Sequence, residues 1–226
     1  RSKAFEKNTE LEAVLTFHGN NPGKYVRQVS ADPYALTVHM HHSLIELPDD
    51  NYTPRKFHPQ AGFWSIEHKD YAAALGESMY VRYIPRHRLA KKDPSLPISE
   101  PVEPIVYYLD PGVPEPVKTA LLDGAKWWND AFSAAGYKNA FIVKVLPDDA
   151  DPMDVRYNVI QWVHRATRGW SYGSSVIDPR TGEIIKGHVT LGSLRVRQDI
   201  LIAEALAAPY FEGNEVAKRL QAMALD

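Results

Sequence analysis

Four prolines fall between residues 91 and 104, in the run KKDPSLPISEPVEP, and no regular element tolerates that density. Each one fixes φ and lacks a backbone donor, so the run is excluded from a helix interior and from a central strand. It predicts an extended linker, and it divides the chain into two textures. Upstream, residues 1–90 read as β-rich. Apolar, β-branched and aromatic residues cluster at 11–18, 35–47, 63–71 and 79–88. Between them stand Asn20-Asn21-Pro22-Gly23, Asp32-Pro33, Pro48-Asp49-Asp50-Asn51 and a stretch from Pro59 to Gly62, which supply the fixed or positive φ that turns require.

Downstream the texture is mixed. Strands are predicted at 105–109, 141–146 and 157–164. A helix is predicted over 114–135, with Val117, Leu121, Trp128 and Phe132 on one buried stripe. Early prolines and Gly136 are its start and stop. Residues 176–177 and 183–191 are joined by Asp178-Pro179-Arg180-Thr181-Gly182, a hairpin signal. Two helices, at 200–208 and 215–225, are broken near Pro209 and Gly213. The expected fold class is α+β: a β-rich domain over 1–90, a linker over 91–104, and a partial sheet-and-helix unit over 105–226.

Composition narrows the function classes. Among 226 residues, 44% are hydrophobic and the net charge is -2, so a core is available and there is no electrostatic footprint for nucleic acid. The absence of cysteine excludes a disulfide framework, a thiolate zinc cluster and a cysteine nucleophile. No stretch approaches the roughly 18 apolar residues that span a bilayer as a helix. The opening Arg1-Ser2, without Met or a signal pattern, reads as a processed chain or a piece of a longer one. Peptides or small molecules are the expected partners.

Several constellations carry chemistry. Gly169-Trp170-Ser171-Tyr172-Gly173 matches the G-x-S-x-G serine elbow, with Asp178 and His188 following in hydrolase order. The polar residues before it and Pro179 after it contradict the strand and helix that such an elbow needs. His39 and His41 share one face of a predicted strand and His42 takes the other, so two imidazoles could share a zinc ion, although no carboxylate is fixed nearby by spacing. No His-Glu-x-x-His occurs, so zinc hydrolysis by that helix geometry is excluded within the chain. Trp127, Trp128 and Trp162 read as core and domain-contact residues. Residues 183–191 alternate, with Ile185, Val189 and Leu191 on one face and Lys186, His188 and Thr190 on the other. At a sheet edge such a strand would accept an extended peptide; paired on both sides, it would be an interior strand.

The stretch SEPVEPIVYYLDPGVPEPVKTALLDGAKWWNDAFSAAGYKNAF, and then DADPMDVRYNVIQWVHRATRGWSYGSSVIDPRTGEIIKGHVTLGSLRVRQD, resembles the start of the catalytic domain of bacterial zinc-dependent metalloproteases of metzincin type. The preceding HHSLIELPDDNYTPRKFHPQAGFW and YIPRHRLAKKDP look like the N-terminal domain that accompanies it. The resemblance implies an extracytoplasmic endopeptidase, periplasmic, surface-bound or secreted, whose substrate lies along an edge strand above the metal. By that analogy Gly187, His188, Val189, Thr190 and Leu191 would be the edge strand. Arg168, Trp170 and Tyr172, in the loop before the hairpin, could face the cleft and contact substrate or pack on their own sheet. In the family the zinc helix follows the segment that ends here at Asp226. The expectation is therefore that zinc and its catalytic ligands belong to a downstream partner segment, and that this chain by itself holds no zinc and is inactive. A non-enzymatic module that captures peptides on the same edge is the alternative, and a serine hydrolase using Ser171 the third.

Overall fold

The alternation in NTELEAVLTFH needs a partner strand for its backbone and two different environments for its faces. The structure, a computed structural model that describes residues 1–165 and 170–207, supplies the partners. Strands β1 (Ser2–Ala4), β2 (Asn8–His18) and β3 (Ala35–Ile45) form an antiparallel sheet in that order, with a short helix α1 (Lys24–Val29) before β3. Register sets the faces: Glu10 and Glu12 stand opposite Ser43 and His41, while Leu15 and Phe17 stand opposite Val38 and Leu36. Asn8 is buried, donates to the Met153 carbonyl at 3.0 Å and accepts from the Val155 N–H at 3.0 Å. Arg1–Glu46 with Met153–Val155 thus make one compact unit, and Leu47–Pro152 with Arg156–Asp226 the other.

The contacts divide the chain after Glu46, whereas the sequence suggested a boundary near residue 90. The hairpin of β4 (Ile66–Lys69) and β5 (Tyr80–Tyr83) explains the difference, because the chain leaving it is stitched into the second unit. The Arg86 N–H donates to the Gly182 carbonyl at 3.1 Å and the Ile184 N–H to the Arg86 carbonyl at 2.9 Å.

The run over 91–104 is not extended as expected but doubles back. Lys92 N–H donates to the Glu100 carbonyl at 2.9 Å and Val102 N–H to the Ala90 carbonyl at 2.8 Å, bonds that use none of the proline nitrogens. The Lys91 ammonium satisfies the Leu96 and Pro97 carbonyls at 3.1 and 2.8 Å, a contact that local composition does not announce.

The second unit is built on a five-stranded sheet of β6 (Ile105–Leu109), β7 (Phe141–Val145), β8 (Asn158–Val163), β9 (Tyr172–Ile177) and β10 (Ile184–Gly192). Their order is β7-β6-β8-β10-β9, all parallel except the antiparallel pair β9–β10. Among the described residues Leu109, Val113 and Val159 are its largest fully buried apolar side chains. The helix expected over 114–135 is split into α2 (Val117–Lys126) and α3 (Trp128–Ala134) at Trp127, three residues after Gly124, a residue type that weakens a helix interior. Gly136, at φ +85°, ends it as expected: the Tyr137 N–H returns to the Phe132 carbonyl at 2.9 Å. After β10 comes α4 (Leu194–Ala207), which starts earlier than the helix expected at 200–208. The helix expected at 215–225 lies outside the described residues. The architecture is α+β, with a β-rich N-terminal part and a mixed sheet carrying helices. Among the described residues no helix is long and apolar enough to cross a membrane.

Candidate functional site

The turn Asp178-Pro179-Arg180-Thr181-Gly182 places the outermost strand. Gly182 N–H donates to the Asp178 carbonyl at 2.9 Å and Asp178 N–H to the Glu183 carbonyl at 2.8 Å, closing the expected hairpin. The fully buried Asp178 carboxylate accepts from the Arg180 guanidinium at 2.8 Å, and that hydrogen bond holds its pKa below the ordinary carboxylate value. Arg180 also donates to the Pro48 carbonyl at 2.9 Å. Anchored at this end, β9 runs along the outside of β10.

This corrects the expected edge. Gly187, His188, Val189, Thr190 and Leu191 lie on β10, which is paired on both sides, to β8 and to β9. Alternation marks a strand as two-faced but says nothing about whether its backbone edges are both occupied. Among the described residues the free edge on this side is β9, whose Tyr172, Gly173, Ser174 and Ser175 are exposed. Its polar start, YGSS, was the available signal, since exposed edges avoid apolar runs.

Trp170 and Tyr172, singled out from the sequence, stand exposed at the start of that edge. The Arg165 guanidinium lies 5.1 Å from the Trp170 ring centre and 5.7 Å from that of Tyr172, and donates to the Trp170 carbonyl at 2.6 Å. The three groups form one aromatic and cationic corner. Arg168 lies outside the described residues. Beside β9 opens a cavity of about 560 Å³, lined by Gly173, Ser175 and Ile177 together with Tyr107 and the aromatic pair Phe63 and Trp64. Phe63 and Trp64 are exposed and were not singled out as site residues from the sequence.

Two interior contacts shape the floor. Gly187 lies under the Tyr107 hydroxyl so closely that a Cβ there would overlap it. His87 meets the Tyr107 ring edge-on at 6.1 Å, and burial pushes its pKa down to about 4. Burial, reinforced by the Lys186 charge, also lowers the pKa of His188. Both imidazoles are therefore neutral at pH 7.

The remaining constellations are placed apart. Ser171 accepts from the Gly192 N–H at 3.2 Å, while Asp178 sits at the far end of β9, about 24 Å away along an extended strand. The strand and turn do not bring Ser171 and Asp178 together. Trp128 was expected to be buried; it is 60% exposed, and the described residues leave the space that it faces open. Trp127 is exposed as well. His39 and His41 do share a face, and the register brings to them the carboxylates that spacing had not revealed. His39 pairs with Glu12 at 2.9 Å and His41 with Glu10 at 2.5 Å. Burial raises the Glu10 pKa, but hydrogen bonds from Ser43, His41 and Asn8 outweigh it and hold the carboxyl below its usual value. Among the described residues no group of three or more His, Asp or Glu side chains is placed to hold a metal ion. They do not offer the donor set of a catalytic zinc, which takes about three protein ligands and an open position.

Residues 1–92 match the model of a family described as a domain of unknown function (DUF5117). No curated protein sequence matches the chain, and no solved structure does.

Proposed function

We propose that this chain forms the substrate-cleft part of a zinc-dependent endopeptidase and holds an extended peptide along β9. The observation that carries the reading is the reversal of strand direction at β9, which leaves one exposed antiparallel edge at the end of an otherwise parallel sheet. Unpaired backbone groups along that edge give main-chain affinity for an extended peptide, and alternate side chains fall into adjoining pockets. The cavity beside β9, floored by Tyr107 and flanked by Phe63 and Trp64, suits an apolar or aromatic side chain. Trp170, Tyr172 and Arg165 supply a stacking and cationic corner at the start of the strand. The resemblance to metzincin-type proteases supports peptide hydrolysis. In this reading zinc, which polarises the scissile carbonyl and activates water, and its ligands are supplied by sequence beyond the described residues. A location outside the cytoplasm belongs to the same reading.

The test is hydrolysis of a fluorogenic peptide library by the complete gene product, with and without a chelator, alongside binding of the same peptides followed by tryptophan fluorescence. Hydrolysis abolished by chelation, with binding weakened by Trp170→Ala, supports the enzyme. Binding without hydrolysis favours the alternative, a peptide-capture module that uses the same exposed edge. Absence of both overturns the assignment of β9 as a peptide site.

A further inference from the structure

The N-terminal sheet ends on β3, and this strand carries none of the devices that keep sheet edges apart. ALTVHMHHSLI has no proline, lysine, arginine, aspartate or glutamate, and it pairs with β2 over all 11 residues without a bulge. Its hydrogen-bonding phase is fixed at both ends, where the Gly19 N–H donates to the Tyr34 carbonyl at 3.0 Å and the Glu46 N–H to the Lys7 carbonyl at 2.9 Å. Bonded and non-bonded pairs alternate in an antiparallel ladder, so even-numbered residues of β3 bond to β2 and odd-numbered ones turn their backbone outward. Ala35, Thr37, His39, His41, Ser43 and Ile45 therefore each present an N–H and a C=O. Among the described residues no strand pairs with that side.

We propose that β3 pairs antiparallel with β3 of a second copy of this chain, about a two-fold axis at Met40. The strand is complementary to itself in that register: Ala35 falls opposite the partner's Ile45, Thr37 opposite the partner's Ser43, and His39 opposite the partner's His41. All outward groups of the six residues are then used, giving twelve hydrogen bonds where an ordinary interface has about ten. Sliding the strands by two residues leaves groups at each end unpaired. Side chains on the even-numbered face agree with this register. Leu36 meets the partner's Leu44, and the apolar face of Leu11, Leu15, Phe17 and Leu44, all exposed, continues from one copy into the next. No carboxylate, ammonium or guanidinium of β3 is set against its own copy. The opposite edge of the sheet is β1, only three residues long, so the assembly closes as a dimer instead of growing into a fibre. A strand-edge contact is small, and the dimer exchanges with monomer at micromolar concentration. This pairing does not rest on the protease reading and uses a different sheet from β9.

The test combines sedimentation with a cross-link that reads the register. Sedimentation velocity of the full chain from about 1 to 100 µM is expected to show a monomer passing to a dimer. Thr37→Lys with Ser43→Lys sets like charges opposite each other twice, whereas Thr37→Glu with Ser43→Lys sets opposite charges there. The dissociation constant should be at least ~10-fold higher in the first variant than in the second. The chain has no native cysteine, so Met40→Cys supplies its only thiol. At the axis that thiol faces its own copy as a non-hydrogen-bonded pair, close enough for a disulfide. Leu36→Cys, on the same face but eight residues out of register with itself, should not cross-link. A concentration-dependent dimer with these two contrasts supports the pairing. A chain that stays monomeric throughout, a dimer indifferent to the charge at position 37, equal cross-linking of the two cysteine variants, or open-ended aggregates would each overturn it.

Discussion

Arg88 grips Glu183 through both arms of its guanidinium, Nε to one carboxylate oxygen and Nη2 to the other, each at 2.8 Å, across 95 residues of sequence. Glu183 is buried at the base of the β9–β10 hairpin, and Arg88 also pairs with Asp49 at 2.9 Å while its guanidinium lies 5.8 Å from the Tyr52 ring centre. The fork therefore ties the chain leaving β5 to the turn that positions the outer strand.

Glu183→Gln keeps the shape but removes the charge that the fork grips, and it is expected to lower stability by about 1–3 kcal/mol. Arg88→Lys keeps the charge but not the two-armed geometry, so it should also be destabilising. Denaturant midpoints of the two variants, at an unchanged slope, measure both effects. Midpoints equal to the parent would show that the pair contributes nothing to stability.

Gly187→Ala places a methyl where the Tyr107 hydroxyl lies, and the tyrosine must move or the strands must part. Overpacking of this kind costs about 1–3 kcal/mol. Tyr107→Phe removes the overlapping oxygen, so the double variant should recover part of that loss. A double-mutant cycle on thermal midpoints tests the coupling, which would be absent if the two residues do not touch.

His87 gives the second unit a pH dependence whose sign follows from burial. Its folded pKa, about 4, lies below the ordinary 6.5, so between these values the unfolded chain binds more protons than the folded one. The stability held by neutral His87 is complete above pH 6.5 and is lost as the pH falls from 6.5 toward 4, by at most about 3 kcal/mol. His87→Phe should flatten that segment of the stability-against-pH curve. A parent curve that is already flat there would refute the buried neutral imidazole.

Asn8→Ala removes both the donor to Met153 and the acceptor for the Val155 N–H. Leaving such groups buried and unpaired costs about 1–3 kcal/mol. Amide exchange at Val155 should accelerate ahead of exchange in β6 or β8, and uniform acceleration everywhere would contradict a local role.

How much was legible follows from the range of each signal. The Asp178-to-Gly182 turn and the Gly136 stop were readable because their chemistry is local: a short stretch of residues closes its own hydrogen bonds. The clusters of apolar, β-branched and aromatic residues at 11–18 and 35–47, which became most of β2 and β3, were equally plain. Which strand lies at the sheet edge was not, because β10 alternates whether or not β9 covers it. The same holds for Glu10 and Glu12, which reach His41 and His39 only through the β2–β3 register. The fold of 91–104 rests on Lys91 reaching across a loop to bare carbonyls, and the exposure of Trp128 rests on space beyond its own helix, neither of which has a sequence period.

The dependence of Asn8 on Met153 and Val155 has a consequence for how the protein is made. A ribosome completes β1, β2 and β3 early and then must translate until position 155, 147 residues after Asn8, before the amide acquires its final acceptor and donor. The nascent N-terminal sheet is born with a berth held open, its asparagine hydrated, and is sealed only by polypeptide that emerges much later.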